Sequence, residues 1–371
     1  MARIVYGVAG EGFGHSSRSH LIGQHLIEAG HEVLFVASRK SLAYLRTAFG
    51  PNVHEIAGLC LAYRNRRLSP AGTIAANLVG LFKQRRANRI LYRDVLTPFE
   101  PDLVISDFEP FSAWWALRHG IPFISIDHQH VLSLFQTDRA AGPWTSRLSA
   151  EAVTRCHYVG AAAYIVLNFF AAPTKHTNAV LAPPVVRPQV MQTSPECGDH
   201  LVVYTTDASW KPTLLKTLAH FPKHTFFIYG LNESRHIGNC VLKKTSTTAF
   251  LRDLADCRGV IATAGFSLLS ECLYLRKRML VLPIEGQYEQ MVNAHYLQKL
   301  GLGLFRRKLT TGALAEYLAL ADQPMPDHPD ILWPDNDRFF QILGRTIHRV
   351  FSTFDKGAVH GTPVDRLPAM G

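Results

Sequence analysis

The stretch from Gly259 to Gln290, GVIATAGFSLLSECLYLRKRMLVLPIEGQYEQ, decides the fold. It opens with a short apolar run, Val260 to Ala262, which has the composition of a buried strand. A glycine turn at Gly265 follows, and apolar residues three and four apart then predict a helix. A second apolar strand is predicted from Met279 to Ile284. This alternation of strand, turn, helix and strand indicates a parallel α/β sheet with helices on its faces.

The turn and the loop of this stretch are suited to binding a nucleotide. A helix that starts near Ser267 points free backbone N–H groups at its ligand, which favours a phosphate. Glu271, Glu289 and Gln290 are polar side chains that could hold the hydroxyl groups of a ribose and a sugar. Taken alone, Glu271 could equally be an ordinary glutamate on a helix surface.

Gly265 with Glu271 six residues later, then Pro283 and the pair Glu289-Gln290, resembles the donor motif of UDP-glycosyltransferases with the GT-B fold. The resemblance covers roughly residues 2 to 310 and is nearest to the MurG-like branch. Within that branch it points to the group that opens GEGFGHxxRS, here residues 10–19. It implies an α/β fold of two Rossmann-like domains that face each other across a cleft. The C-terminal helix then packs back on the N-terminal domain.

The chain of 371 residues is long enough for two domains with substantial cores. Prolines cluster after Leu167, and we expect the linker there. We expect an N-terminal acceptor domain at residues 1–187, a linker at 188–199 and a nucleotide-sugar domain at 200–335. A helix at 336–355 would return to the N-terminal domain, and residues 356–371 would form a tail.

The resemblance implies a donor site for a UDP-sugar in the C-terminal domain. The uracil base of the donor would lie near the pair Phe250-Leu251, and the ribose would bind Glu271. The diphosphate would lie at the helix start near Ser267. The loop after the strand that begins at Leu201 is also suited to a diphosphate. Phe250 could instead be a core residue. The expected donor residues are Phe250, Leu251, Gly265, Phe266, Ser267, Glu271, Glu289, Gln290, Thr206 and Ser209.

The N-terminal domain is expected to supply the catalytic base and the acceptor side. The loop after the first strand would lie at the strands' carboxyl ends, and the resemblance places its histidine in the reaction cleft. The resemblance implies that His15 or Glu11 takes the acceptor's proton and that Asp107 sets the tautomer of the histidine, roles that suit these side chains chemically. The alternative for Asp107 is a helix cap. The expected acceptor-side residues are Gly12, Gly14, Arg18, His128 and His130.

A dinucleotide site in the first domain is the alternative to this interpretation. The first strand, helix and second strand form a βαβ opening, but the glycines are spaced G-x-G-x-G and not G-x-G-x-x-G. Ser38-Arg39-Lys40 at the end of the second strand could bind the phosphate of NADP. An NADP-dependent oxidoreductase therefore stays open.

Charge and composition limit the partners. The net charge is +10 and the pI about 9.4, but we find no compact basic-aromatic motif for nucleic acid, so none is expected as a partner. The basic segment 63–96 could lie on an anionic membrane surface and offer a lipid acceptor, or pack as a solvated helix. Six scattered cysteines and no signal peptide favour the cytoplasm, with the inner face of the membrane as a peripheral site.

The resemblance implies an inverting hexosyltransferase of glycoconjugate or cell-envelope biosynthesis. It would move a hexose or N-acetylhexosamine from a UDP-sugar to a hydroxyl of a lipid, glycan or small metabolite. The resemblance implies no bound metal and no cofactor besides the UDP-sugar as co-substrate. The Asp127-His128-Gln129-His130 run lacks a third metal ligand placed by sequence. A UDP-sugar epimerase of the same fold is the other alternative.

Overall fold

The structure is a computed structural model that describes residues 1–10, 12–58, 63–64, 67–68, 84–138, 147–148, 150–151, 154, 160–193, 198–244 and 246–359. Glu11, one of the two predicted bases, lies outside these residues. So do much of the basic segment 63–96, part of the predicted linker and most of the predicted tail.

The N-terminal half forms a seven-stranded sheet in the order β3-β2-β1-β6-β7-β8-β9. All neighbouring strands in it are parallel. A separate antiparallel pair joins β4 to β5. The strands are β1 Arg3–Val8, β2 Glu32–Ala37, β3 Val53–Glu55, β4 Tyr63–Arg64, β5 Arg67–Leu68, β6 Leu103–Asp107, β7 Phe123–Asp127, β8 Ala163–Leu167 and β9 Ala179–Ala182.

The C-terminal half forms a second seven-stranded sheet in the order β12-β13-β11-β10-β14-β15-β16. It is parallel except for the edge pair of β12 and β13. Its strands are β10 His200–Tyr204, β11 Thr225–Tyr229, β12 Arg235–Ile237, β13 Cys240–Leu242, β14 Gly259–Ala262, β15 Met279–Val281 and β16 Gly303–Phe305.

Helices cover these sheets and connect their parallel strands, as such connections require. In the first half they are α1 Phe13–Glu28, α2 Arg39–Phe49, α3 84–91, α4 Thr97–Phe99, α5 Pro110–Arg118, α6 Val131–Leu134 and α7, to which residues 147, 148, 150, 151 and 154 belong. Short 3-10 turns occur at Gly50–Asn52 and Ala208–Trp210, and a π-helical turn at Tyr92–Leu96. The later helices are α8 Pro188–Met191, α9 Lys211–Leu218, α10 Thr247–Asp256, α11 Phe266–Tyr274, α12 Tyr288–Lys299, α13 Thr311–Ala321 and α14 Asn336–Val359.

The last helix, α14, returns to the N-terminal half. The Phe340 ring stacks on His25 of α1 with centroids 3.7 Å apart, and α14 packs beside β8 and β9. Phe339, Leu343 and Ile347 are buried on the side of the helix that faces the protein. The two halves are therefore held by a linker and by a second crossing of the chain.

Burial follows from the parallel arrangement. Central strands such as β6, β7 and β8 are buried at every position, because helices cover both faces of the sheet. Of the six cysteines, the three in the described part of the chain, Cys240, Cys257 and Cys272, are buried free thiols. None of the described helices is both long enough and apolar enough to cross a membrane.

The strand and helix boundaries differ from the predicted ones by a few residues. The strand expected from Met279 to Ile284 ends at Val281, since the chain leaves the sheet before Pro283, which cannot donate a ladder hydrogen bond. The linker expected at residues 188–199 contains the short helix α8. The division of the chain into domains at residues 187 and 200 remains a prediction.

Candidate active site

The carboxyl ends of β1 and β6 bring the first group of site residues together. The strands are neighbours, with Val8 opposite Asp107, and the N–H of Ala9 donates to the Asp107 carbonyl at 3.0 Å. The loop after β1 leads directly into α1, which carries His15. Parallel strands thus place the end of β6 beside the first turn of α1, as ligand sites of α/β sheets require.

The Asp107 carboxylate is fully buried and surrounded by donors. Its Oδ1 lies 2.7 Å from Nδ1 of His15 and accepts from Arg18 at 2.5 Å. Its Oδ2 accepts from Arg18 Nε at 2.9 Å and from the Ser19 hydroxyl at 3.0 Å. Burial alone would raise the pKa of Asp107, but the charges of Arg18 and His15 outweigh it and lower that pKa. The group is therefore a fixed anion.

This anion orients the His15 ring. A 2.7 Å contact with a carboxylate keeps a proton on Nδ1, and this contact is shorter than the 3.2 Å approach of the Arg18 guanidinium to the same nitrogen. The other ring nitrogen, Nε2, is then the basic one. The His15 side chain is 15% exposed, so a ligand can reach it. The arrangement can accept a proton from a bound hydroxyl.

Phe108, which the sequence did not single out, forms one wall beside His15. Its backbone has φ of 53°, a left-handed conformation that is costly for a residue with a large side chain. Its ring lies nearly parallel to the His15 ring at 6.3 Å and meets the edge of His130 at 6.4 Å. With this backbone conformation the Phe108 ring lies beside the His15 ring.

The second group of site residues belongs to the start of α11. Gly265 is the N-cap of this helix and has no side chain to cap the first N–H groups. A methyl group on Gly265 would meet no atom nearer than the Thr263 hydroxyl at 4.0 Å, so space is open there. Free N–H groups at a helix N-terminus favour an anion.

The starts of α1 and α11 meet across the boundary between the two halves. A Cβ on Gly14 would lie 2.2 Å from Oγ of Ser267, so a larger residue at position 14 would require the Ser267 side chain to move. Both helices therefore direct their positive ends at one region. The residues that line the cleft there are Gly14, Ser17, Arg18, Leu21, Val185, Val186, Arg187, Phe266, Ser267, Ser270 and Glu271.

Of the predicted donor residues, Glu271, Phe266 and Ser267 line this cleft together with the predicted acceptor-side residues Gly14 and Arg18. Glu271 is buried and its Oε1 accepts from Nε of Arg187 at 2.8 Å. Arg187 is the last residue before α8, at the end of the predicted N-terminal domain, and was not among the predicted site residues. Its sequence signal is that it is the only charged residue between Pro183 and Pro195.

His128 and His130 are not on the open acceptor side where they were expected, because both rings are buried. The His128 ring stacks on Phe266 at 3.9 Å, its Nδ1 lies 2.8 Å from the Leu167 carbonyl and its Nε2 lies 2.9 Å from the Asn293 amide. Burial lowers the pKa of His128 although the Glu289 carboxylate is 3.9 Å away. His128 thus joins the two halves.

The His130 ring belongs to a buried hydrogen-bonded group. Its Nδ1 lies 2.7 Å from Asp127, which also accepts from the Ser125 hydroxyl at 2.6 Å. Burial would raise the pKa of Asp127, but His130 and these hydrogen bonds hold it far below its usual range. Among the described side chains, no three His, Cys, Asp or Glu residues are grouped to hold a metal ion.

The remaining predicted donor residues are spread over the C-terminal half. Phe250 and Leu251 are buried in α10, and the Phe250 ring packs on Tyr229 at 5.1 Å, which fits the core interpretation. The Gln290 amide is bonded to the Ile284 N–H at 3.1 Å, so it closes its own loop rather than pointing into open space. Thr206 and Ser209 are exposed in the loop after β10, beside the loop after β14.

Comparison with known proteins identifies the family of this chain. The sequence profile of the family "Glycosyl transferase family 1" matches residues 2–321. An uncharacterised glycosyltransferase of Methanosarcina mazei is 24% identical over 330 residues, which cover 81% of this chain and 84% of the relative.

Solved structures share the architecture. The glycotransferase of kitacinnamycin superimposes with a TM-score of 0.62 at 15% identity and covers 94% of this chain and 95% of its own. MurG of Acinetobacter baumannii gives 0.59 at 14% identity, with 94% and 100% covered. LpCGTa in complex with UDP gives 0.61 at 14% identity, with 87% and 91% covered. The predicted GT-B fold is confirmed. The chain belongs to glycosyl transferase family 1 and is a glycosyltransferase.

Proposed function

We propose that this glycosyltransferase moves a neutral hexose or N-acetylhexosamine from a UDP-sugar to an acceptor hydroxyl, with inversion and without a bound metal. One observation carries the proposal: His15, held by the buried Asp107, lies on the same helix start that meets Ser267 of α11. A base and an anion-binding helix end are thereby adjacent. That LpCGTa, a protein of similar fold, is solved in complex with UDP supports the donor class.

The chemistry would be a direct displacement. The acceptor oxygen forms a bond to the anomeric carbon while the bond from that carbon to the β-phosphate oxygen breaks. The acceptor proton passes to Nε2 of His15, and the electron pair leaves with UDP. The N–H groups at the start of α11 would stabilise the departing charge, which is the role a metal has in other enzymes.

Attack on the face opposite the leaving group inverts the anomeric configuration. The neutral sugar is favoured because the residues from Glu285 to Gln290 include no arginine or lysine that could pair with a uronate carboxylate. Glu289, whose side chain is 26% exposed, is available to a sugar hydroxyl near His128.

Calorimetric titration with UDP tests the donor class first, with Glu271→Ala and Arg39→Ala as paired variants. We expect micromolar binding that is weakened in the Glu271 variant and unchanged in the Arg39 variant. NADP binding that is lost in the Arg39 variant, with no UDP binding, would instead establish an oxidoreductase. Conversion of one UDP-sugar into another without an acceptor would establish an epimerase.

A panel of UDP-glucose, UDP-N-acetylglucosamine, UDP-galactose and UDP-glucuronate then tests the sugar. UDP release would be measured with lipid, glycan and small hydroxyl acceptors, in the presence and absence of a chelator. The proposal predicts chelator-insensitive release with the first three donors, and an anomeric proton in the product that reports inversion. Dependence on added metal would contradict the metal-independent mechanism.

A membrane acceptor is the second part of the proposal. Exposed arginines of α3, including Arg85, Arg86 and Arg89, lie close in sequence to the exposed Ile90, and Trp114 of α5 is 44% exposed. Cations beside exposed apolar side chains suit the inner, anionic face of a cytoplasmic membrane. Co-sedimentation with anionic vesicles should fall when the three arginines are changed to glutamine. Equal sedimentation of the variant and the unaltered protein would contradict the membrane acceptor and favour a water-soluble one.

A further inference from the structure

The buried ring of His128 lies directly behind the start of α11. Its side chain is 1% exposed. One face of the ring stacks on Phe266, the first residue of α11, with centroids 3.9 Å apart and the planes 14° apart. Phe266 also lines the cleft, next to Ser267. The His128 ring is thus one side chain away from the helix start that we propose for the diphosphate.

A chain of three polar contacts runs through this ring. Nδ1 of His128 lies 2.8 Å from the Leu167 carbonyl oxygen at the end of β8, and Nε2 lies 2.9 Å from Oδ1 of Asn293 in α12. Nδ2 of Asn293 donates to the Ala264 carbonyl at 3.1 Å. Ala264 directly precedes Gly265, the N-cap of α11. The chain of contacts therefore connects a strand end of the N-terminal half to the turn before α11.

This chain of contacts requires two protons on the ring. Both of its ends are backbone carbonyls, which accept hydrogen bonds and cannot donate them. The Asn293 amide supplies one donor and one acceptor, and turning it over would bring its oxygen against the Ala264 carbonyl. A neutral imidazole has a single N–H, so one of the three contacts would then pair two acceptors. Only the imidazolium makes all three contacts hydrogen bonds.

The charged groups that face the ring act in both directions. Burial lowers the pKa of His128, and the Arg18 guanidinium of α1 acts in the same direction. The Glu289 carboxylate of α12, 3.9 Å from Nε2, opposes this without reversing it. On its own segment, the neighbouring Asp127 and His130 are bonded to each other. Since the pKa of His128 lies below its ordinary value of about 6.5, the ring is mostly neutral at neutral pH.

We propose that His128 is a positioning residue that takes up a proton from the solvent when the dianionic UDP-sugar binds at the start of α11. The inference rests on the proposed UDP-sugar function. The negative charge of the diphosphate stabilises the imidazolium across the Phe266 ring. The second ring N–H then donates to Asn293, which holds the Ala264 carbonyl and the turn before α11. Donor binding is thereby coupled to the contact that joins the two halves.

Calorimetric titration with the three neutral UDP-sugars named above, in two buffers of different ionisation enthalpy, measures this proton. The buffer releases each proton that the complex takes up, so the measured heat differs between the buffers. The diphosphate ester of a UDP-sugar has no phosphate group that titrates near neutral pH, unlike UDP itself. We expect an uptake of about half to one proton at neutral pH. Linkage then makes donor affinity fall with rising pH, by at most about tenfold per pH unit.

His128→Gln is the test variant, because its amide has one donor and one acceptor, like the neutral ring, and does not titrate. Proton uptake should disappear in this variant, and donor affinity should be weaker and less dependent on pH. His15 is the other histidine of the candidate site, and His15→Ala should keep the uptake. His295→Gln is the matched control on α12, since its ring pairs with Asp138 across the same boundary but is 32% exposed. Thermal melting establishes that each variant is folded.

NMR of protein with isotope-labelled histidine provides a readout that a merely structural role would not change. The ring-nitrogen signals distinguish the neutral tautomers from the imidazolium, and the His128 signals are those missing from His128→Gln. We expect a neutral His128 ring in the free protein at neutral pH and an imidazolium in the complex with the donor.

The outcomes are distinct. Proton uptake that persists in His128→Gln, or a His128 ring that stays neutral in the complex, would overturn the assignment while donor binding stands. A ring that is already doubly protonated in the free protein at neutral pH would overturn it too, because the donor then adds no proton. Failure of the unaltered protein to bind any neutral UDP-sugar would overturn the proposed donor class, and the assignment with it.

Discussion

Two carboxylates face the cleft region from the two halves of the molecule, and their surroundings differ. Asp107 is fully buried and receives hydrogen bonds or close contacts from His15, Arg18 and Ser19. Glu271 is 6% exposed and is bonded to Arg187. The hydrogen-bonding capacity of the Asp107 carboxylate is used within the protein, where it holds the His15 ring. Glu271 keeps hydrogen-bonding capacity, and this is why we propose it for recognition of a ligand.

This comparison predicts opposite effects for substitutions in the two groups. Changes around Asp107 should affect turnover and folding, because both oxygens of its carboxylate are already hydrogen-bonded within the protein. Changes around Glu271 should affect ligand affinity with a smaller effect on folding.

The largest effect is expected for His15→Ala. Removal of a general base lowers turnover by roughly a hundredfold to ten-thousandfold, while the α11 side of the site still binds UDP. Steady-state UDP release and calorimetry with UDP measure the two quantities separately. Turnover that stays unchanged would remove His15 from the mechanism, and His20→Ala is the control on the same helix.

The second largest effect is expected for Asp107→Asn, which should lower the free energy of unfolding. It leaves the Arg18 guanidinium buried without its anion, which destabilises a protein by about 3–5 kcal/mol when a buried pair is broken. Urea unfolding measures this loss, and Asp322→Asn, in a more exposed pair with Arg258, should cost about 1 kcal/mol or less. Equal costs at the two positions would contradict the contrast.

The pH dependence of unfolding provides a check on the same carboxylate. The folded pKa of Asp107 is depressed, so its stabilising contribution is full above the unfolded pKa of about 4 and is lost as pH falls through the folded value. The protein should therefore lose stability in acid, and Asp107→Asn should lose less between neutral pH and acid. Parallel curves for the two proteins would contradict this.

Glu271→Ala should have an intermediate effect, on affinity. Loss of a charged acceptor for the ribose should weaken UDP binding about tenfold to a hundredfold. The free energy of unfolding should change less than in Asp107→Asn, because the partially exposed Arg187 can turn to water. Glu316→Ala, which breaks an exposed pair with Arg306, is the control for a lost glutamate in the same half.

The smallest effect is expected for Gly14→Ala. The added methyl group meets Oγ of Ser267 at 2.2 Å and its Cβ at 3.2 Å, so the hydroxyl must rotate and the helix starts must separate slightly. A cost of about 1 kcal/mol in unfolding is expected from such overpacking. Ser267→Gly in the same chain should restore stability. Gly265→Ala, with no neighbour nearer than 4.0 Å, should leave stability nearly unchanged.

Local sequence patterns predicted the strands, turns and helices that carry the candidate site residues. The apolar strand, Gly265 turn and helix around Glu271 can be read from a few consecutive residues, and Glu271 does line the cleft. Asp107 and His15 come together because each follows a strand, and neighbouring parallel strands end at one edge. The burial of His128 and the left-handed backbone of Phe108 could not be predicted, as they depend on packing between separate segments.

The sequence by itself determined the α/β alternation and predicted Gly265–Ser267, His15 and Asp107 as candidate site residues, because strand length, helix spacing and glycine turns are local properties. Only the tertiary structure decided that Arg187 meets Glu271, 84 residues away, and that His128 meets Asn293, 165 residues away. Both contacts join a residue of the N-terminal half to a residue of the C-terminal half. Pairings of this kind depend on the relative placement of whole sheets, which no local pattern specifies.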